Sequence, residues 1–248
     1  WNGIPAGIAA LEADGETRAI VLAGRGKSFC VGLDLAMLQG GGGSGGENGE
    51  SMAGRLSGAS ANLRQLTQTK SIQDAVTSIA KASVPVIAAI HGHCLGGGLD
   101  IVTACDVRLA ARDALFGIRE TKIGIVADVG TLQRLPKIVT AGHVAELAYT
   151  GKDIDAERAL GIGLVNSVHD DFETTYQAAF SMAMEIAANA PLAVRGTKFI
   201  LSESENMTTD QSLMLNGIWT MITTLNSNDL QEAMKAFVAK RPPAFKGN

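Results

Sequence analysis

The segment Val86-Ile87-Ala88-Ala89-Ile90-His91-Gly92-His93-Cys94-Leu95-Gly96-Gly97-Gly98 constrains the fold more than any other stretch of the chain. An unbroken apolar run after Pro85 reads as a buried strand. The consecutive glycines then open an apolar helical stretch that runs to Cys105. Glycines there let a ligand approach the backbone, and a helix that starts there aims unpaired N–H groups and the positive end of its dipole at that ligand. Such a place suits a phosphate, or an oxygen that gains negative charge during a reaction. From the glycines alone, a tight turn with no ligand is the equal alternative. No GK[ST] follows, and the spacing is not GxGxxG, so neither a Walker loop nor a dinucleotide fingerprint is present.

The remaining periodicity extends this picture. Residues 19–23 read as a second buried strand, closed by the turn Gly24-Arg25-Gly26-Lys27, and residues 107–111 as a third. Helices are predicted over residues 3–14, 60–82, 131–149, 155–160, 172–189, 191–202 and 209–239. Asp153 or Asp155 would cap the fourth, and Pro191 would start the sixth. The stretch GGGGSGGENG at 40–49 is low-complexity and reads as a flexible loop. Strand and helix alternate first, and the chain then becomes almost purely helical. This predicts an α/β core over residues 1–190 with a helical appendage over 191–248. A chain of 248 residues with 46% hydrophobic content can bury such a core. The net charge of −4 argues against a general nucleic-acid binder. No apolar run reaches the ~20 residues needed to span a bilayer. Cys30, Cys94 and Cys105 form no disulfide framework, which points to a reducing compartment. The expectation is a cytoplasmic protein, or an organelle-matrix one if a targeting segment precedes Trp1.

The candidate chemistry lies in three places. In Phe29-Cys30-Val31-Gly32-Leu33-Asp34 a short apolar run ends at glycine, which leaves the Leu33 N–H free to be exposed. Asp100, Glu120 and Asp128 each sit in an apolar run, where a carboxylate is costly unless it is paired or used. Each has a plainer reading: Asp100 complements a helix dipole, Glu120 is a surface acid between Arg119 and Lys122, and Asp128 is a helix N-cap. His91 and His93 alternate and would share a strand face, but no third ligand lies at short spacing, so no metal site is expected. Cys94 reads as a small buried residue rather than a nucleophile.

Taken together, AIVLAGRGKSFCVGLDL at 19–35, PVIAAIHGHCLGGGLDIVTACDVRLA at 85–110, LFGIRETKIGIVADVGTLQRLP at 115–136, YTGKDIDAERALGIGLVNSV at 149–168 and DLQEAMKAFVAKRPPAFKG at 229–247 resemble the crotonase, or enoyl-CoA hydratase/isomerase, superfamily. The resemblance implies a crotonase-type spiral of ββα units with a C-terminal helical trimerisation region, hence a homotrimer or a dimer of trimers. It implies an acyl-CoA substrate, with no cofactor beyond the coenzyme A that the substrate carries. By this resemblance the family's first β-hairpin, part of which holds the CoA adenine, is either missing or outside this numbering.

By the same resemblance the backbone N–H groups of Leu33 and Gly97 would hold the thioester oxygen. Val31, Gly32, Asp34 and Gly96 would line the substrate beside them. Lys27 or Lys198 would either meet the CoA phosphates or be ordinary surface lysines. Hydratases carry glutamates at the positions of Asp100 and Glu120, and usually glycine at that of Asp128. The Asp–Glu–Asp set, with ADVGTLQRLP and GGGLDIVTACDVR around it, is similar to the Δ3,5-Δ2,4-dienoyl-CoA isomerase subgroup. That implies Glu120 at C2, Asp128 at C6, and Asp100 orienting Glu120 or tuning its proton affinity. The alternatives are a 2-enoyl-CoA hydratase in which Asp100 and Glu120 activate water, and a catalytically inactive crotonase-like binding protein.

Overall fold

A computed structural model describes residue 1, residues 3–32 and residues 58–248. Leu33, Asp34 and the expected loop at 40–49 lie outside the described residues. A four-stranded parallel sheet runs in the order β1 (Ile20–Ala23), β2 (Val86–Ile90), β4 (Val107–Ala111), β7 (Ser167–His169). A three-stranded sheet follows the order β3 (His93–Leu95), β5 (Leu115–Gly117), β6 (Ile154–Asp155), with the last pair antiparallel.

Every residue of β2 is buried, and strand alternation divides them between two packing layers. Ile87 and Ala89 meet Leu109 and helix α7 (Phe172–Ala187) through Ala179 and Ala183. Val86, Ala88 and Ile90 face the main core, shared with Val76 and Ile79 of α2 (Gly58–Ala80) and with Leu99 and Val102 of α3 (Gly97–Ala104). The helix α1 (Gly3–Glu12) packs on the same core through Ile4 and Ile8.

Two long predicted helices are broken. Residues 131–149 divide into α4 (Thr131–Arg134), a 3-10 turn Leu135–Lys137 that contains Pro136, and α5 (Ala141–Thr150). Proline supplies no N–H for a continuing α ladder, so the break falls where it stands. Residues 209–239 divide into α9 (Thr209–Trp219), a π turn Thr220–Thr224, and α10 (Asn228–Ala239). The last restarts on Ser227, whose hydroxyl accepts from the Leu230 N–H. Asp155, not Asp153, caps α6 (Ala156–Gly161), accepting from the Arg158 N–H at 2.8 Å.

His91 and His93 do not share a strand, because β2 ends at Ile90 and β3 begins at His93. His91 is buried 4.2 Å from the Phe172 ring, whereas His93 is exposed with its Nδ1 3.2 Å from the Ser28 hydroxyl. Among the described residues no group of three or more His, Cys, Asp or Glu is placed to hold a metal ion, and no helix is long and apolar enough to cross a membrane.

Lys198 is neither a surface lysine nor a free phosphate contact. It lies on α8 (Pro191–Glu203), 8% exposed, and donates to the Val84 carbonyl at 2.9 Å and to Asp106 Oδ2 at 2.8 Å. These bonds pin the C-terminal helices to the edge of the core. Breaking one side of a buried ion pair typically costs about 3–5 kcal/mol. Asp106 is partly exposed and keeps the Val86 N–H, so Lys198→Met should cost about 3 kcal/mol, the low end of that range. Urea denaturation reads this directly, and a loss below about 1 kcal/mol, the level of an exposed pair, would contradict it.

Candidate active site

The Phe29–Gly32 segment runs beside β3. The Phe29 and Cys30 N–H groups donate to the carbonyls of His91 and His93 at 2.9 and 3.0 Å, and the Leu95 N–H donates to Cys30 at 2.9 Å. The pairing delivers Gly32 to the start of α3. Gly32 has φ +91°, and a Cβ placed on it would lie 3.2 Å from the Leu95 carbonyl oxygen and 3.3 Å from the Gly97 nitrogen. Gly98 permits the approach from the other side, since a Cβ there would lie 2.6 Å from the Cys30 oxygen. The structure thus brings together Gly32, Gly96 and Gly97, three of the sequence-predicted positions, while Val31 beside them is exposed. Leu33 follows Gly32 directly, but it and Asp34 are not described.

Leu99 and Asp100 both donate their N–H groups to the Gly96 carbonyl, at 2.7 and 3.2 Å. Among the described residues nothing accepts from the Gly97 N–H. An unpaired donor at the positive end of a wholly buried helix is a ready anion site. The Trp1 indole edge lies over it, 2.7 Å from where a Gly97 Cβ would sit.

Glu120 opens a 3-10 turn, Glu120–Ile123, just beyond β5. Its Oε1 lies 3.0 Å from where a Gly96 Cβ would sit, so the carboxyl flanks the Gly97 donor. Arg119 and Asp153 hold the turn from one side, and a bond from the Thr121 hydroxyl to the Ala148 carbonyl at 3.1 Å holds it from the other. Burial pushes the Glu120 carboxyl above its ordinary range, and the neighbouring Asp100 and Asp128 charges push it further. The nearby backbone N–H groups of Glu120 and Arg119 oppose them. Its Oε2 is buried, with no partner among the described residues.

Asp100, on the first turn of α3, is 1% exposed. Its Oδ1 accepts from the Thr131 N–H at 2.6 Å, which ties α3 to the first N–H of α4. Among the described residues the buried Thr131 hydroxyl has no hydrogen-bond partner, so the N–H is the firm contact. Burial raises the Asp100 carboxyl and Asp128 adds to this, while Thr131 and the Arg134 charge hold it down.

Asp128 is exposed and caps no helix among the described residues, which corrects its N-cap reading. Gly130 occupies the N-cap of α4, and Asp100 accepts from the first N–H of that helix, on Thr131. The Asp128 carbonyl accepts from Gln73 Nε2 at 2.6 Å. The Asp128 charge bears on both Asp100 and Glu120, and that of Asp100 bears on Glu120. Burial raises the Cys94 thiol well above its ordinary range, which keeps it a thiol. Sequence reading passed over Thr131, Gln73 and Arg134. Thr131 stands 31 residues from the carboxylate it serves, and only its place in the ADVGTLQRLP stretch marks it.

The pattern of enoyl-CoA hydratase/isomerase proteins matches residues 5–248. The chain belongs to the enoyl-CoA hydratase/isomerase family. Its curated relatives include the mitochondrial Delta(3,5)-Delta(2,4)-dienoyl-CoA isomerase of Dictyostelium discoideum, 41% identical over 96% of this chain and 78% of that protein. The peroxisomal protein of the same name from Arabidopsis thaliana is 39% identical over 97% of this chain and 84% of its own length. Among solved structures, the enoyl-CoA hydratase of Bacillus anthracis superposes with a TM-score of 0.85 at 30% identity, covering all of this chain and 88% of its own. The crotonase-type α/β fold expected from the sequence is thus the fold found.

Proposed function

We propose that this family member is an acyl-CoA isomerase that shifts a 3,5-dienoyl-CoA to the 2,4-dienoyl-CoA. The observation that carries this reading is the third acid. Asp128 stands in the same electrostatic cluster as Glu120 and Asp100 without capping a helix. Its relatives of dienoyl-CoA isomerase name support the choice.

The chemistry uses each part once. Glu120 takes a proton from C2, and the electron pair spreads as a dienolate from the thioester oxygen to C6. A proton delivered through Asp128 at C6 completes the 2,4-diene. The Gly97 N–H, with that of Leu33, receives the enolate oxygen, whose charge exceeds that of the ground-state carbonyl. The contact is therefore catalytic rather than merely binding. Burial pushes both Glu120 and Asp100 towards the protonated form, which favours keeping a proton within the cluster for delivery to C6. Asp100, whose Oδ1 is engaged by the Thr131 N–H, supports the cluster and is poorly placed to activate water. This weighs against the hydratase reading.

Gly97→Pro tests the enolate half. Proline is tolerated at the first position of a helix but carries no N–H. The expected loss in kcat is about 10²–10³-fold. Gly97→Ala keeps the donor and displaces only the Trp1 ring edge, so it should lose much less; equal losses in the two variants would remove the N–H from the account. For the reaction itself, purified protein is offered a 3,5-dienoyl-CoA and a 2-enoyl-CoA while the diene and enoyl absorbances are followed. Hydration without isomerisation would sink the isomerase reading, and turnover of neither substrate would favour the binding-protein one.

The homotrimer or dimer of trimers belongs to the same proposal. Leu201, Ile222 and Phe237 of the C-terminal helices are 70%, 71% and 86% exposed, apolar surface that a symmetric assembly would cover. An organelle-matrix location fits the mitochondrial and peroxisomal relatives.

A further inference from the structure

The acid cluster has a cationic partner to which neither sequence reading nor the reaction scheme assigns a task. Arg134 lies at the end of α4, and its guanidinium folds back over the start of its own helix. Gly130 (φ +133°) leaves the room: a Cβ there would sit 1.8 Å from Arg134 Nη1. From this seat Nη2 donates to the Thr77 hydroxyl of α2 at 2.8 Å, and Nη1 makes a longer bond, 3.4 Å, to the Val129 carbonyl. Gln73, one turn earlier on α2, donates to the Asp128 carbonyl at 2.6 Å, and the Thr77 hydroxyl donates to the Gln73 carbonyl at 2.6 Å. Arg134 and α2 thus clamp residues 128–130, the segment that carries Asp128. The Thr131 N–H on the same short helix is bonded to Asp100 at 2.6 Å.

We propose that Arg134 is the positioning residue of the acid cluster: it fixes the Asp128 segment against α2 and sets a positive charge on the short helix whose first N–H holds Asp100. This rests on the isomerase reading and adds a residue to it. The groups that bear on Asp100 are Asp128 from the clamped segment, Arg134 and Thr131 from α4, Glu120 from the 3-10 turn and Cys94 from β3. Those that bear on Arg134 are Asp100 and Glu205. Arg134 opposes the upward push of burial on Asp100. Removing its charge therefore makes the cluster hold protons to higher pH.

The test compares Arg134→Gln, Arg134→Lys and Thr77→Val by kcat–pH profiles on a 3,5-dienoyl-CoA, with circular dichroism as the check on folding. Arg134→Gln should lower kcat about 10–10²-fold, as misplacement of a reacting group does, and should move the acid-limb midpoint upward. Arg134→Lys and Thr77→Val should lower kcat with the midpoint at its wild-type value, because each keeps the charge and loses part of the clamp. A midpoint unmoved in Arg134→Gln would overturn the electrostatic task. Full kcat in Arg134→Lys and Thr77→Val would overturn the clamp, and these two variants decide it if Arg134→Gln does not fold. If wild type fails to isomerise the dienoyl thioester, the functional reading falls separately. Carboxyl-carbon NMR titration of Asp100 in substrate-free protein, assigned with Asp100→Asn, then decides the inference. A midpoint higher in Arg134→Gln, or in Arg134→Met if the first is unfolded, supports it; an unchanged one overturns it.

Discussion

Glu120→Gln will lower kcat on a 3,5-dienoyl-CoA by about 10²–10⁴-fold, the usual worth of a positioned acid–base group, and will leave KM little changed. Glutamine keeps the shape beside Gly96 but takes no proton from C2. The pH dependence follows from the same environment. Burial first, and the Asp100 and Asp128 charges second, raise the Glu120 carboxyl. The acid limb of the wild-type profile therefore lies above the ordinary glutamate value of ~4.3. The sign for stability is opposite to that of a salt-bridged acid. A raised carboxyl makes the folded state bind more protons than the unfolded one, so stability is lost as pH rises from the ordinary glutamate range through the folded value. Glu120→Gln removes that loss. The inactive variant should melt above wild type at pH 8, with the gap narrowing towards pH 4. Thermal melts at the two pH values check it, and a variant less stable than wild type at pH 8 would mean that the carboxylate is paired rather than strained.

Asp128→Asn will lower isomerisation by a similar factor, about 10²–10⁴-fold, with a different signature. In the proposed scheme Glu120 is the base at C2, so exchange of the C2 hydrogen with D₂O should persist in Asp128→Asn and vanish in Glu120→Gln. Among the described residues the Asp128 carboxyl has no hydrogen-bond partner, since Gly130 is the N-cap of α4 and Asp100 holds its first N–H. Full activity in Asp128→Asn would return Asp128 to the status of an ordinary exposed acid.

Much of this site is legible in the sequence because its determinants are local. The run at 86–90 is buried throughout, as its unbroken apolar character requires. The glycines at 96–98 begin a helix because they let α3 close on the Phe29–Gly32 segment. The acids stand out through the cost of a carboxylate in apolar surroundings. What escapes is tertiary in origin. Apolar periodicity carries across residues 131–149, and a single proline within it, followed by a fresh start after Thr140, splits the helix. His91 and His93 alternate as strand residues do, yet the chain changes sheets between them. Lys198 looks like any helical surface lysine until the fold brings Val84 and Asp106 to it, 114 and 92 residues away in the chain. Separations of 31 and 57 residues likewise hide Thr131 from Asp100 and Thr77 from Arg134.

The central claim is that one proton leaves C2 and another arrives at C6 without water adding to the chain. Turnover of a 3,5-dienoyl-CoA by the wild-type protein in D₂O, with NMR of the product, tests it most directly. The account predicts a 2,4-dienoyl-CoA with deuterium at C6 and no hydroxyl group. A 3-hydroxy product, or a diene left at the 3,5 positions, would contradict it.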